Sequence, residues 1–253
     1  MRLLIDIGNS NTHIGIATSS EIISKHDIPN THILPGNTIC KLADLIPDNV
    51  KIAAICSVCP DVSEFITNYL KSKNVEVHVL KGENQTCLSI EYDNISSIGA
   101  DRVSNCIALK HIYSYPSMAI GYGTAVTFDI LDSSGKFIGG VIAPGIRMLT
   151  EALHHKTALL PYIKPEFLDK IIGQNTADAM LIGCTRSIVG LTKEVISIVK
   201  KELNAPDLCI VATGGYANIV ARLVPEINFV DTKLTLAGLN IFLNSLKSNR
   251  LNS

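Results

Sequence analysis

The sequence predicts an α/β protein built as two similar halves, and three observations lead there. Strand-like and helix-like segments alternate along the chain, with no low-complexity stretch and no long linker. A strand running into a Gly-rich turn occurs near the N-terminus, "LLIDIGNSNTHIGIA", and again in "MAIGYGTAVTFDIL". Hydrophobic residues make up 47% of the 253, enough for two cores, yet the longest apolar runs are strand-length. None approaches the ~20 residues that span a bilayer.

Taken in order, "RLLIDIGN" and "THIGIAT" pair as a hairpin, being short, β-branched and interrupted by polar turn residues. "KIAAICSV" is a strand. "PDVSEFITNYLKSKN" opens with proline and carries Val62, Phe65, Ile66 and Leu70 at helical spacing. "VEVHVL" alternates as a strand does, and "GADRVSNCIALKHIYS" is a helix with Val103, Ile107, Ala108 and Ile112 on one face. After "YPS" at 115–117 the pattern restarts. "MAIGYGTAVTFDIL" and "KFIGGVIA" are strands divided by the turn signal "DSSG". Three helical segments follow ("PGIRMLTEALHHKTALL", "NTADAMLIGCTRSIVGLTKEVISIVKKEL", "TLAGLNIFLNSLK"), with strands at "DLCIVATGG" and "INFVD". The restart divides the chain into domains 1–115 and 116–253.

A net charge of −1 and a pI of about 6.6 provide no basic field for nucleic acid or a membrane surface. The start "MRLLIDIGNSN" has no signal-peptide core, since Asp6 and Asn9 interrupt it, so a cytoplasmic protein is expected. Seven cysteines (Cys40, Cys56, Cys59, Cys87, Cys106, Cys184, Cys209) are odd in number and scattered, which suits reduced thiols. "CSVC" at 56–59 lacks a second ligand pair and reads as a strand end, not a metal site. His154 and His155 likewise lack metal spacing.

Three motifs carry chemistry. The two hairpin openings align as Asp6-Ile7-Gly8-Asn9-Ser10 against Gly121-Tyr122-Gly123-Thr124-Ala125, with Thr12 against Thr127. Glycine lets a backbone approach an anion closely, and successive N–H groups converge on phosphate. Asp6 has the chemistry to hold Mg²⁺ directly or through water. A hairpin with an Asx turn explains the same residues without a ligand. In "SSIGADRVSN", Asp101 is either a general base with Arg102 as an anion clamp, or a first-turn acid on the helix dipole. In "VATGGYA", paired glycines either admit a nucleoside or form an ordinary strand-to-helix turn.

Together with "SVCP" at 57–60 and "GGVIAPG" at 139–145, these pieces occur in an order that resembles the type III pantothenate kinases, from residue 1 to about 240. That resemblance implies two duplicated ribonuclease-H-like domains of the acetate and sugar kinase, Hsp70 and actin superfamily, with a central cleft. It implies ATP-dependent phosphorylation of pantothenate, the first step towards coenzyme A. It also implies Mg²⁺, a monovalent cation (K⁺ or NH₄⁺), and a homodimer whose partner completes the pantothenate site. By the same resemblance, Asp6, Gly8, Asn9, Ser10 and Asn11 form the first phosphate motif, and Gly123, Thr124 and Ala125 the second. Thr213, Gly214 and Gly215 form the adenosine motif. Tyr92, Gly99, Asp101 and Arg102 form the pantothenate site, with Asp101 as base and Arg102 near the carboxylate or amide end. Thr176 is supplied across the dimer, and 174–203 is the candidate interface helix, with a buried intramolecular helix as its alternative.

Two positions depart from the family pattern. Gly121 stands where the family has the aspartate associated with the monovalent cation, which predicts weak or absent K⁺ stimulation. Ile95 stands where a proline usually follows the tyrosine, a milder change in loop stiffness. Asp129 sits ~25 Å from position 121 on an extended strand, unless the hairpin folds it back. The loss at 121 motivates an alternative, a catalytically impaired relative acting as a binding or transcription-accessory protein. A kinase or phosphatase of the same superfamily acting on another small hydroxylated acid is a third reading.

Overall fold

In a computed structural model that describes residues 1–33 and 44–251, the alternation of the sequence becomes two five-stranded sheets. In the first, β1 (Arg2–Ile7), β2 (Asn11–Ala17) and β3 (Ile22–Pro29) run antiparallel in succession. β4 (Ile52–Ser57) lies parallel to β1, and β5 (Glu76–Val79) parallel to β4. The order is β3-β2-β1-β4-β5. The second sheet repeats it with β6 (Ser117–Tyr122), β7 (Ala125–Leu131), β8 (Phe137–Pro144), β9 (Cys209–Thr213) and β10 (Phe229–Val230). Its order is β10-β9-β6-β7-β8, with β6 antiparallel to β7 and parallel to β9. The same connectivity twice is the expected pair of ribonuclease-H-like domains.

Helices that lie wholly within the described residues are α1 (Pro60–Ser72), α2 (Ala100–Ile112), α3 (Ile146–Lys156), α4 (Thr176–Glu202), α5 (Ala217–Ala221) and α6 (Leu234–Leu251). α1 starts with Pro60, whose missing N–H has no intrahelical partner to lose, and buries Val62, Ile66 and Leu70. These pack with Leu3, Ile5, Ile7 and Ile14 of the first sheet, and Phe65 is half-buried beside them. In α2, Val103, Ile107 and Ala108 are buried as the spacing predicts. Ile112 is instead 51% exposed, because it is the last helical residue before the chain becomes extended at Tyr113. α4 buries Cys184, Ile188 and Ile196 against Tyr122 and Phe128 of the second sheet, so its apolar face serves an intramolecular core.

Two compact units result: Met1–Ser114 with Ser134–Gly139 and Lys233–Ser253, and Tyr115–Ser133 with Gly140–Thr232. The division at 115/116 differs from this in two segments. α6 packs in the first unit, where the Ser104 hydroxyl donates to the Thr235 carbonyl (2.7 Å). Arg2 also donates to Asn240 Oδ1 (2.8 Å) and Asn244 Oδ1 (2.7 Å) there. Residues 134–139 join it because Phe137 exchanges backbone hydrogen bonds with Ser89 and Glu91. Helical periodicity specifies an apolar face but not the sheet that the face covers.

β3 has no counterpart in the sequence reading. It is an edge strand in which only Ile28 is buried, so the alternation that marks a half-buried strand is missing. No described cysteine forms a disulfide, and Cys40 lies outside the described residues. Among the described residues no helix is long and apolar enough to cross a membrane.

Candidate active site

In the first unit, three motifs meet at the end of β1. The Val58 N–H donates to the Ile7 carbonyl (3.0 Å), which seats Ser57-Val58-Cys59-Pro60 beside the first turn. A Cβ at Gly99 would lie 3.7 Å from Val58 Cγ1 and only 2.6 Å from Asp101 Oδ1. Any larger residue at 99 therefore displaces the Asp101 carboxylate. That carboxylate accepts the backbone N–H of Arg102 (2.9 Å) in the first turn of α2, where the helix dipole favours negative charge.

Asp6 is 8% exposed, and its Oδ1 accepts the thiol of Cys56 (3.4 Å), its register partner on β4. Burial, and then the charge of Asp101, push the Asp6 carboxyl up to about 6. Burial also raises Asp101, against the backbone N–H and the charge of Arg102. Burial pushes the Cys56 thiol well above its ordinary value. A buried acid that feels the charge of a second carboxylate favours a cation or a proton of its own. Across β2, Asp6 faces His13, and His13 Nδ1 lies 2.6 Å from Asp27 Oδ1 on β3.

The first turn is shaped from outside itself. The Gly8 N–H donates to the Asn11 carbonyl (3.0 Å). Buried Asn30, just past β3, donates to the carbonyls of Gly8 (2.7 Å) and Asn9 (3.2 Å) and accepts the Thr12 hydroxyl (2.8 Å). Asn9 and Asn11 stay exposed, with Ser10 half-buried between them. Tyr92 is 39% exposed and stacks on fully buried Phe137, the ring centroids 6.0 Å apart and the planes 9° from parallel. The Arg102 guanidinium carbon lies 5.6 Å from the centroid of the same ring. Ile95 opens a one-turn 3-10 helix capped by Asn94, whose Oδ1 accepts the Ser96 N–H (3.1 Å).

In the second unit, Gly123 closes its turn on the Ala125 carbonyl (3.0 Å), and the Thr124 carbonyl accepts the Gly145 N–H (3.0 Å). Thr213 ends β9 in parallel register with Gly121. Gly214 has φ +94°, and a Cβ there would lie 2.5 Å from the Tyr122 carbonyl oxygen, so glycine is required by both conformation and space. Gly215 is exposed. An apolar recess lined by Tyr122, Gly123, Ile146, Phe167, Tyr216 and Val220 adjoins these residues. Thr176 is the exposed first residue of α4, after Asn175, whose side chain accepts the Asp178 N–H (2.9 Å).

The hairpins differ in ways their sequences conceal. The first turn lies between paired Ile7 and Thr12, the second between paired Tyr122 and Val126, one residue shorter. Thr12 therefore corresponds to Val126 and not to Thr127, whose counterpart is His13. The hairpin also folds Asp129 back. It pairs with Ala119, which places it on the same face as Gly121 at roughly 7–8 Å diagonally, far nearer than an extended strand allows. Asp129 is fully buried, however.

The cations implied by the resemblance fare differently. Asp6 suits Mg²⁺, being a buried acid whose ionisation needs a compensating charge. Among the described residues no cluster of three His, Cys, Asp or Glu could hold a metal unaided, so phosphate and water oxygens would complete the shell. The monovalent cation does not fit at position 121. The carboxylate is absent, and a Cβ there would lie 2.8 Å from Thr127 Oγ1, in space already taken.

Sequence reading missed Cys56, His13, Asn30 and Phe137 as neighbours of the site. Strand register joins the first two to Asp6, and long-range contact joins the others, so no local pattern marks them.

Comparison with known proteins gives a consistent answer. Residues 2–198 match the family model described as type III pantothenate kinase. A type III pantothenate kinase of Methylacidiphilum infernorum is 36% identical over 242 residues, covering 94% of this chain and 86% of the relative. Among solved structures, a conserved Baf family protein of Campylobacter jejuni superposes with a TM-score of 0.64 at 20% identity, covering 97% of this chain and 99% of its own. The Clostridium difficile activator of 2-hydroxyisocaproyl-CoA dehydratase, solved with bound ADPNP, gives 0.55 at 13% identity, covering 100% and 97%. These last two speak to the fold alone. From the family match and the identity across nearly its whole length, the chain belongs to the type III pantothenate kinase family.

Proposed function

We propose that this protein transfers the terminal phosphoryl group of ATP to the 4′-hydroxyl of pantothenate, the opening step towards coenzyme A. One observation carries the reading within the family: buried Asp6 and half-buried Asp101, assembled beside buried Arg102 from separate motifs. Asp101 takes the hydroxyl proton as the substrate oxygen forms its bond to the γ-phosphorus. The bond between that phosphorus and the β–γ bridging oxygen breaks, and its electron pair leaves with ADP. Burial strengthens Asp101 as a base by raising its proton affinity. Arg102 offers a planar fork to the pantothenate carboxylate. Asp6 would hold Mg²⁺, which would supply positive charge against the phosphates.

Gly8–Asn11 and Gly123–Ala125 contact phosphates in this reading, and the nucleoside lies at Thr213–Gly215 beside the apolar recess. Tyr92 and Gly99 line the pantothenate pocket. Thr176 serves a second copy of the chain in a homodimer, and the exposed start of α4 supports that role. The odd number and scatter of the cysteines suit a cytoplasmic location in this reading. No step in this reading is assigned to a monovalent cation, because Gly121 does not supply its ligand. A non-catalytic role is not favoured, since Asp6, Asp101 and Arg102 are retained.

The test is pantothenate-dependent ADP formation by the purified protein with Mg·ATP. Asp101→Asn should lower kcat by about 10²–10⁴ while pantothenate still binds. An Asp101→Asn protein that keeps its turnover would remove the assigned base.

A further inference from the structure

The Phe137 ring touches two residues of the acceptor site and belongs to no motif assigned above. It is fully buried, stacks with Tyr92 at 6.0 Å, and carries the Arg102 guanidinium 5.6 Å from its centroid. Its backbone is tied at both polar atoms to the segment leading into Tyr92. The Glu91 N–H donates to the Phe137 carbonyl (2.8 Å), and the Phe137 N–H donates to the Ser89 carbonyl (3.0 Å). An ion pair between Lys136 Nζ and Glu91 Oε2 (2.9 Å) flanks this bridge.

We propose that Phe137 is a positioning residue that sets the guanidinium plane of Arg102 and so determines recognition of the acidic end of the acceptor substrate. A guanidinium lying over an aromatic ring is attracted by the ring's negative face, and its N–H edges are left to point outward. A carboxylate is bound best by such an edge, two parallel N–H bonds to two oxygens, and this geometry fails when the plane rotates. The ring is anchored to the same bridge that leads into Tyr92, so one buried side chain fixes both walls of the pocket relative to each other. Packing alone would account for the burial of Phe137. It would not make the effect of the ring on the acceptor depend on the guanidinium of Arg102.

That difference supplies the test, which rests on the kinase reading above. Steady-state constants for pantothenate and for ATP are measured with Arg102 in place and in an Arg102→Lys background, which keeps the charge but not the planar fork. With Arg102 in place, Phe137→Leu should raise KM for pantothenate about thirtyfold, the scale of a lost desolvated cation–π contact. In the Arg102→Lys background the same substitution should add far less, and KM for ATP should barely move in either. Phe137→Tyr, which keeps the aromatic face, should keep KM for pantothenate near that of the unmodified protein. If Phe137→Leu does not fold, Phe137→Met replaces it, a flexible apolar side chain without a π face. Equal rises in KM for pantothenate in the two backgrounds, or a rise in KM for ATP as large, would overturn the proposal and leave the ring as packing. Absence of turnover by the unmodified protein would instead defeat the kinase reading, so the two failures are distinguishable.

Discussion

The two hairpins share a topology but not an electrostatic character. At the end of β1 a row of registered residues crosses four strands: Asp27, His13, Asp6 and Cys56. At the matching place in the second sheet the row reads Thr127, Gly121, Thr213, with no charge in it. Both turns keep a glycine whose N–H closes on a carbonyl at 3.0 Å, Gly8 on Asn11 and Gly123 on Ala125. Duplication has thus preserved the backbone closure of the turn, while acidic and basic side chains are concentrated in the first copy. A turn that binds anions through backbone groups tolerates such divergence, because backbone geometry depends on the fold more than on neighbouring side chains.

The comparison breaks most readily at Asp6. If the charge work is confined to the first hairpin, Asp6→Asn lowers Mg²⁺-dependent kcat by about 10²–10³, the scale of one preorganised electrostatic contact. Gly121→Asp leaves the Mg²⁺ requirement unchanged. Parallel Mg²⁺ titrations of the two variants decide it, and equal defects would mean that both hairpins carry the metal load.

The same substitution should act oppositely on stability. Burial and Asp101 raise the folded-state carboxyl of Asp6 from 3.8 to about 6, so the folded protein binds this proton more tightly than the unfolded chain. The resulting stabilisation is full below about pH 4 and is lost as the pH rises through about 6. Asp6→Asn avoids that loss, and in EDTA at pH 7 it should be more stable by as much as about 3 kcal/mol. Near pH 4 the advantage should vanish. Urea melts at both pH values give the sign, and a variant less stable at pH 7 would refute the account.

A smaller effect is expected from rebuilding the lost acid. Gly121→Asp forces a Cβ to 2.8 Å from Thr127 Oγ1 and should cost about 1–3 kcal/mol, as overpacking does. Gly121→Asp with Thr127→Ala should recover much of it in thermal melts. If the single variant melts like the unmodified protein, Thr127 does not hold that space. The smallest effect is predicted for salt identity. Replacing K⁺ with choline at constant ionic strength should leave turnover unchanged, and marked K⁺ stimulation would show a cation site built from other residues.

The sequence by itself determined the alternation of strands and helices, the duplicated hairpins and the family. Each rests on local periodicity or on short motifs whose residues are contiguous. It also singled out Asp6, Gly99, Asp101 and Arg102, because glycine beside acid and base is a chemical pattern legible in one segment. It did not reveal that Gly99 is small to make room for the Asp101 carboxylate, or that Asn30 ties down a turn roughly twenty residues earlier. It also left unresolved the one-residue difference between the turns, and α6 as part of the first unit. These facts depend on register and on contacts between distant segments. A strand's pattern says which side chains share a face, but only pairing with a particular neighbour decides which of them stand side by side.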